Sequence, residues 1–325
     1  MFNAVVSREA MSLAHPFGPV FWGICLNLIG LGVTFAQAWS YARTASQDRL
    51  PVKLSALAML AFDIASTGLI LSVFWTDLIL DFGDAELFQG TSPTIAAECT
   101  ISAFIALLAQ IYFMVQISYI KPAGKLGTII LWTIGCLAVI AFGAGLGCAS
   151  FMALAPTTPH YNLKFQLTFG LAKGANSLCD IIATVMMTIY LQGSKTGVSS
   201  TENLLDSLTI IFMNRGAAVM LVQVFTFVMF WAFFNPQYWL APHLVLTKVY
   251  VNTFFAILNS RSYLREKHLN SSFPSSIGGG LGGSHGSSGV ALDGEKFVAR
   301  PGNLDATITK DVLVRTDSNS EVHMV

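Results

Sequence analysis

Charged and amide side chains recur at helical spacing inside long apolar segments, and they are the candidates for chemistry in this sequence. Lys248 lies near the middle of one such segment, one helical turn before Asn252. A lysine at that depth in a bilayer is costly unless a partner or a water-filled cavity solvates it, so it indicates a functional site. Lys173, Asn176 and Asp180 share one face of another segment, at positions i, i+3 and i+7. Both faces are predicted to point into a helix bundle, because hydrocarbon cannot satisfy polar groups.

The depth of each polar residue, counted at about 1.5 Å of rise per residue, separates two groups. The group nearer the outer face is predicted to line an outward-facing ligand pocket, and it consists of Glu98, Lys173, Lys248 and Asn252. The deeper group is predicted to form a buried charge network, and it consists of Asp63, Asp180 and Arg215.

Depth also restricts which of these charges pair. Asp180 is expected to pair with Arg215, since the two lie on consecutive segments. Lys248 is expected to pair with either Asp63 or Glu98. In the alternative interpretation, the polar groups are only contacts between helices, worth about 1 kcal/mol each, and they hold the bundle in register.

Apolar runs of membrane-spanning length must position these side chains. Hydrophobic residues make up 54% of the 325 residues and charged residues 11%, and the mean hydropathy is +0.61, whereas soluble domains have roughly 25% charged residues. Runs of about 20 apolar residues, enough to cross a bilayer as a helix, occur at 18–42, 52–75, 95–119, 126–154, 165–191, 208–233 and 239–260. The sequence therefore predicts an all-α membrane protein, a seven-transmembrane helix bundle.

Lysine and arginine concentrate in the odd-numbered loops and after the seventh run. Under the positive-inside rule these regions face the cytoplasm, so the N-terminus lies outside. Residues 1–17 are then an extracellular segment, residues 18–261 the transmembrane domain, and residues 262–325 a cytoplasmic tail. The tail is rich in serine and glycine and is predicted to be disordered, because it cannot bury enough apolar surface to offset its chain entropy. We expect the protein in the plasma membrane, in contact with the lipid bilayer.

Composition and motifs argue against several classes of protein. The formal net charge is zero, so no nucleic-acid partner is expected. We see no metal-ligand spacing, nucleophile elbow or phosphate-binding loop, so we expect neither an enzyme nor a metal or other cofactor. The five cysteines all fall in apolar segments. Cys99 and Cys148 lie toward the same membrane face, and a disulfide between them stays an open alternative.

The region from the fifth to the seventh run carries a series of short motifs: GSKTG at 193–197, TENLLD at 201–206, NRG at 214–216, KVYVN at 248–252 and LNSR at 258–261. This series resembles the fungal membrane family known as domain of unknown function 6534, over about residues 173–261. The resemblance implies a seven-helix integral membrane protein with a variable cytoplasmic tail. It implies no activity.

Asn259 and Arg261 of the last motif lie at the predicted cytoplasmic mouth of the seventh helix. They are interpreted either as a structural clamp or as a contact for a cytoplasmic signalling partner.

The leading hypothesis is a receptor or sensor that binds an unknown small molecule in the outward pocket and has a serine-rich tail available for phosphorylation. The second hypothesis is a small-solute transporter, although the sequence shows no internal repeat and no proline-broken helix pair. The third is a structural membrane protein whose buried charges only fix helix packing.

Overall fold

The computed structural model describes residues 2–80, 92–120, 124–154, 162–193, 199–232 and 238–272. In chain order its long helices are α1 (Phe2–Thr44), α2 (Leu50–Trp75), α3 (Pro93–Ile120), α4 (Lys125–Leu154), α5 (Leu163–Gly193), α6 (Ser199–Ala232) and α7 (Leu240–Ser272). Each contains a span of 22 to 31 residues that is long and apolar enough to cross a membrane, and the described ranges contain no strand. The protein is an all-α membrane protein with seven such helices in its described ranges, which confirms the predicted fold class.

Three helices extend well beyond the predicted runs, and one of them is α6, which begins at Ser199 rather than at residue 208. α1 begins at Phe2, so the segment predicted to precede the first span continues its helix. α7 runs to Ser272, beyond the end predicted at residue 261. The rest of the predicted disordered tail, from residue 273 onward, lies outside the described residues. The outer and inner ends named below follow the predicted orientation.

Local sequence explains where three of the helices begin. Pro51 occupies the first turn of α2. A backbone N–H at that position would have no hydrogen-bond partner within the helix, so proline costs the helix no hydrogen bond there. Ser92 precedes α3, and its Oγ accepts a hydrogen bond from the Thr94 N–H at 3.3 Å. Asn162 precedes α5, and its Oδ1 accepts a hydrogen bond from the Lys164 N–H at 3.0 Å. These side chains cap N–H groups that are unpaired within the helix, so α3 and α5 start at defined positions.

The helices pack in a ring in chain order, and the contact between α1 and α7 closes the ring. α7 also contacts α2 and α3 across the ring, and α3 contacts α5. α7 is the most enclosed of the seven, since 67% of its most apolar stretch is buried, against 22% for α4. Polar residues on the faces of α7 therefore reach α1, α2, α3 and α6.

Large apolar side chains cover the outside of the ring. Trp132 and Val139 on α4 and Leu221 on α6 each expose 68 to 72% of their surface. An apolar surface of this kind is unfavourable in water, whereas in hydrocarbon it needs no partner. This surface contacts the lipid bilayer.

Buried apolar side chains form two clusters inside the ring. The outer cluster includes Phe165, Phe169, Phe230 and Trp239. The rings of Phe169 and Phe230 stack with 3.9 Å between centroids, which holds α5 against α6 at this end. The inner cluster is larger and is built mainly on α3 and α7.

Amide hydrogen bonds link α1 to α7 along their length. Asn252 Nδ2 donates to the Gly30 carbonyl at 3.2 Å, and Asn259 Nδ2 donates to the Gln37 carbonyl at 3.0 Å. The two donors are seven residues apart, as are the two acceptors, which is about two helical turns. The helices therefore run parallel and in register. Polar contacts of this kind join helices where the surroundings offer no water.

Gly23 permits this close approach, because a Cβ at its position would lie 2.7 Å from the Ala241 Cα on α7. We expect Gly23→Ala to lower the free energy of unfolding by about 1 to 3 kcal/mol, since the clash with main chain forces the helices apart. Thermal unfolding of the purified protein in lipid nanodiscs measures this effect.

Gly32→Ala is the matched control on the same helix, because no described atom lies within 4 Å of a Cβ there. Its unfolding midpoint should stay at or above that of wild type, since alanine is the better helix former. Equal midpoints for the two variants would contradict the close contact between α1 and α7.

Candidate functional site

A cavity of about 60 Å³ lies between α3, α4, α5 and α7, next to the outer aromatic cluster. Rings of Phe142, Phe165, Phe169 and Trp239 form much of its apolar wall. Its polar lining comes from α3, α5 and α7 and consists of Cys99, Ser102, Gln110, Lys173, Asn176, His243, Thr247 and Tyr250. Pockets for drug-sized ligands measure roughly 300 to 1,000 Å³, so this cavity suits a small molecule.

His243 connects three helices beside the cavity. Its Nδ1 lies 3.0 Å from Lys173 Nζ on α5, and its Nε2 lies 3.2 Å from Glu98 Oε2 on α3. An ammonium group only donates, so Nδ1 accepts the hydrogen bond from Lys173. Glu98 is completely buried, and its Oε1 accepts hydrogen bonds from Ser66 at 2.9 Å and Ser102 at 2.7 Å. One imidazole therefore separates a cation from a carboxylate.

Lys173 lines the cavity and retains unused hydrogen-bonding capacity. An ammonium group has three N–H donors, and among the described residues His243 is its hydrogen-bond partner. The Phe169 ring centroid lies 5.6 Å from Nζ and stabilises the charge by a cation–π contact. None of the described carboxylates forms a salt bridge with Lys173. The remaining donors are available to a ligand.

Lys248, predicted to line a ligand pocket with Glu98, is not part of the lining of this cavity. Its Nζ forms a salt bridge with Asp63 on α2 and donates to Thr67 Oγ1 at 2.6 Å. Of the two partners left open by the sequence, Asp63 is the one that pairs. Lys248 follows His243 by five residues, which rotates it by about 140° around α7. The salt bridge is enclosed, with 3% and 0% of the two side chains exposed.

Asn252 also lies outside the cavity and belongs to the link with α1. It follows His243 by nine residues, which is about 180° around the helix, and its Oδ1 accepts a hydrogen bond from Thr34 at 2.9 Å. Of the four residues predicted to line a pocket, Lys173 lines this cavity. Glu98 lies one contact behind the wall, through His243.

Asp180 is bound by two neutral side chains. The Tyr250 hydroxyl donates to its Oδ2, and Gln223 Nε2 donates to the same oxygen at 3.2 Å. Gln223 also donates to the Tyr250 hydroxyl at 2.6 Å. Asp180 and Arg215, predicted as a pair, form no salt bridge among the described residues, although the two charges still interact.

Arg215 is buried and stacks on an aromatic ring. Its Cζ lies 3.3 Å from the centroid of Phe113, and its Nε donates to Thr253 Oγ1 at 3.4 Å. Its Nη2 is buried and has no hydrogen-bond partner in the described part of the chain. The three residues predicted as one charge network therefore have separate hydrogen-bond partners: Asp63 bonds Lys248, Asp180 bonds Tyr250 and Gln223, and Arg215 bonds Thr253.

Asn259 and Arg261 contact neighbouring helices at the inner end of α7. Asn259 bonds the Gln37 carbonyl of α1, and Arg261 Cζ lies 5.6 Å from the Tyr112 ring centroid of α3. These contacts agree with the interpretation as a structural clamp. A role in binding a cytoplasmic partner stays a prediction.

Sequence reasoning missed five residues of the site: Cys99, Gln110, His243, Thr247 and Tyr250. The last three carried a usable signal, since they occupy positions i, i+4 and i+7 on one face of α7. Gln110 had no such signal, because it donates at 2.7 Å to Asn176, which is 66 residues away on α5.

The cysteines of the described residues are free thiols. Cys99 and Cys148, whose pairing the sequence left open, both line the cavity without a disulfide between them.

The length and apolar character of the seven helices make this chain an integral multi-pass membrane protein. Residues 176–263 match the model of a family of unknown function, DUF6534, which supports the resemblance carried by the motifs from the fifth to the seventh helix. No curated protein and no solved structure matches the chain. The matched segment includes His243 and Tyr250 but neither Glu98 nor Lys173, so the similarity covers one side of the cavity.

Removing one member of the Lys248–Asp63 salt bridge should destabilise the bundle. Lys248→Met leaves the Asp63 carboxylate buried without its cation, and we expect the free energy of unfolding to fall by about 3 to 5 kcal/mol. The double variant Lys248→Met/Asp63→Leu removes both charges and should recover most of that loss.

Unfolding of both variants in nanodiscs tests this role. Lys164→Met, at an exposed position of α5, is the control for the loss of a lysine. A single Lys248→Met variant as stable as wild type, or a double variant no better than the single, would show that the salt bridge does not support the fold.

Proposed function

We propose that the protein is a receptor or sensor, without catalytic activity, that binds a small amphipathic molecule in the cavity between α3, α4, α5 and α7. Lys173 is the residue on which this proposal depends. Its ammonium group lines the cavity, is hydrogen-bonded by an imidazole, and has no salt-bridge partner among the described carboxylates. A charge held away from water is stabilised by a ligand that brings the opposite charge.

The chemistry of the cavity wall defines the ligand. The polar end of the ligand accepts hydrogen bonds from Lys173, as a carboxylate does. Its body is apolar, since the rings of Phe169 and Trp239, 5.4 Å apart between centroids, form part of the wall. A volume of about 60 Å³ limits the body to a few atoms. A short-chain carboxylic acid meets these conditions.

Tyr250 connects the cavity to the rest of the bundle. It lines the cavity, and its hydroxyl donates to Asp180 on α5 and accepts a hydrogen bond from Gln223 on α6. A ligand that shifts Tyr250 changes hydrogen bonds among α5, α6 and α7. A ligand shifts the equilibrium between two conformations only if it binds one of them more tightly than the other. Conformations that differ in these hydrogen bonds would differ in their affinity for the ligand.

The receptor is proposed for the plasma membrane, with the cavity toward the outside. The distribution of positive charges among the loops supports this orientation. In this orientation α3 and α7 begin at the outer face, so the cavity residues near their starts lie toward the outside. The serine-rich segment after residue 272 lies outside the described residues. We propose it as the contact for a cytoplasmic signalling partner, controlled by phosphorylation.

Ligand binding is tested by thermal unfolding of the full-length protein in lipid nanodiscs with short-chain carboxylic acids and with the corresponding alcohols and amines. A ligand at about 100 times its dissociation constant adds about 2.7 kcal/mol of stability. We expect the acids to raise the midpoint of wild type and of Lys164→Met, and to leave that of Lys173→Met unchanged. An equal shift in Lys173→Met, or no acid-dependent shift in wild type, would reject this binding site.

Transport of the same acid is the alternative outcome. Uptake of the acid into proteoliposomes, lost in Lys173→Met, would replace the receptor with a small-solute transporter. The receptor proposal expects binding without uptake.

Tyr250→Phe separates ligand binding from its transmission. The variant keeps the ring that lines the cavity but loses the hydroxyl bound to Asp180, at an expected cost of about 1 to 3 kcal/mol in the free energy of unfolding. We expect the acid to bind with little change in affinity but to lose its effect on amide hydrogen exchange at the inner ends of α5 and α6.

Tyr112→Phe is the matched control for this change. The Tyr112 hydroxyl is buried without a hydrogen-bond partner among the described residues, so this variant should respond to the acid as wild type does. Unaltered ligand-dependent exchange in Tyr250→Phe would remove the proposed role of the hydroxyl.

A further inference from the structure

Glu98, Cys99 and His243 bring a carboxylate, a thiol and an imidazole together beside the cavity. One ligand atom from each lies within 4.8 Å of the others, although His243 is on α7 and the other two are on α3. We propose that these three side chains bind a divalent transition-metal ion such as Zn²⁺, with its fourth coordination position toward the cavity. This site goes beyond the proposed receptor function and does not depend on it.

Two of the three separations between the ligand atoms fit a shared ion, and the third, between Glu98 and Cys99, lies within 4.8 Å. His243 Nε2 lies 3.2 Å from Glu98 Oε2 and 3.9 Å from Cys99 Sγ. Zn²⁺ binds nitrogen and oxygen at about 2.0 to 2.2 Å and sulfur at about 2.3 Å, so two ligands of one tetrahedral ion lie about 3.3 to 3.7 Å apart. Each of these two separations is therefore within a few tenths of an ångström of the value that coordination requires.

Glu98 Oε2 is the oxygen that such an ion would bind. It is buried and has no hydrogen-bond partner among the described residues, even though His243 Nε2 lies 3.2 Å away. Buried polar atoms without a partner are rare. A metal ion between the two atoms would satisfy both.

Hydrogen bonds behind the ligands hold them in place. Ser66 and Ser102 donate to Glu98 Oε1, and Lys173 donates to His243 Nδ1. Contacts of this kind orient the side chains that bind a metal. They leave Glu98 Oε2 and His243 Nε2 for the ion.

Exchange of protons for a metal ion keeps the site electrically neutral. Without metal, the Glu98 carboxylate balances the Lys173 ammonium group. A divalent ion displaces the thiol proton of Cys99 and the ring proton of His243 Nε2, and the proton that Lys173 donates moves to His243 Nδ1. The imidazole therefore stays neutral while two positive charges leave and two arrive. Neutrality matters because net charge is costly at membrane depth. A thiolate and an imidazole favour Zn²⁺ or Co²⁺ over Mg²⁺ or Ca²⁺, which prefer oxygen ligands.

Co²⁺ is the probe for this site, because its bond to a thiolate gives an intense charge-transfer absorption. The full-length protein in nanodiscs is stripped with a chelator and titrated with Co²⁺ alone. We expect wild type to develop the absorption at one equivalent and to lose it when Zn²⁺ is added. Cys99→Ser should abolish the absorption. Cys148→Ser, which removes another cysteine of the same cavity, should keep it.

Glu98→Gln provides a second variant that retains the thiolate. It should keep the absorption and weaken Co²⁺ binding by at least about tenfold. No absorption in wild type, an absorption that survives Cys99→Ser, or an unchanged Co²⁺ affinity in Glu98→Gln would overturn the proposal. Thermal unfolding checks that each variant is folded. If Cys99→Ser is unfolded, the affinity of Glu98→Gln for Co²⁺ decides whether the site exists.

Lys173→Met distinguishes failure of the metal site from failure of the receptor proposal. This variant should keep the Co²⁺ absorption with weaker Co²⁺ binding, because it loses the hydrogen bond to His243 Nδ1 but none of the three ligands of the ion. It should lose the response to acids measured in metal-free protein. A Co²⁺ absorption that is lost in Lys173→Met but survives Cys99→Ser would assign the ion to other residues and overturn the site.

Discussion

A polar group surrounded by hydrocarbon has no solvent to bind, so its partner must come from another part of the protein. α7 meets this constraint on several faces at once. Lys248 faces α2, Asn252 and Asn259 face α1, and His243 and Tyr250 face the cavity. The other helices surround α7 because each of its polar faces needs a different partner. This explains why α7 is the most enclosed helix although its span is the shortest.

The cations inside the bundle, Lys173, Arg215 and Lys248, fall into two kinds. Lys248 has a carboxylate partner in Asp63, and a pair of this kind is tied to the scaffold because separating it leaves an uncompensated charge. Lys173 and Arg215 have neutral partners instead, an imidazole and the ring of Phe113. A cation with a neutral partner still gains free energy from an incoming anion. The cavity beside Lys173 is therefore where binding is best supported.

His243 links the features from which function is inferred. Its Nδ1 contacts the ammonium group that would hold an acid, and its Nε2 contacts the carboxylate that would hold an ion. Two ligands acting on one imidazole affect each other's binding, and such coupling is reciprocal. Tyr250, two turns further along the same face, extends the contact to Asp180 and Gln223. One face of α7 thus joins the cavity to hydrogen bonds deeper in the bundle.

The sequence by itself determined the number of spanning helices and the polar stripes that point into the bundle, because run length and helical period are local properties. It also identified Lys173 as a cavity residue, through the polar stripe that contains it. The tertiary structure alone decided which polar groups meet: Lys248 with Asp63, Asp180 with Tyr250, and Glu98 with His243. Each pairing depends on the rotation of a helix about its axis, where one residue position changes the direction of a side chain by about 100°. That rotation results from packing against all neighbouring helices together, and no single segment of sequence contains it.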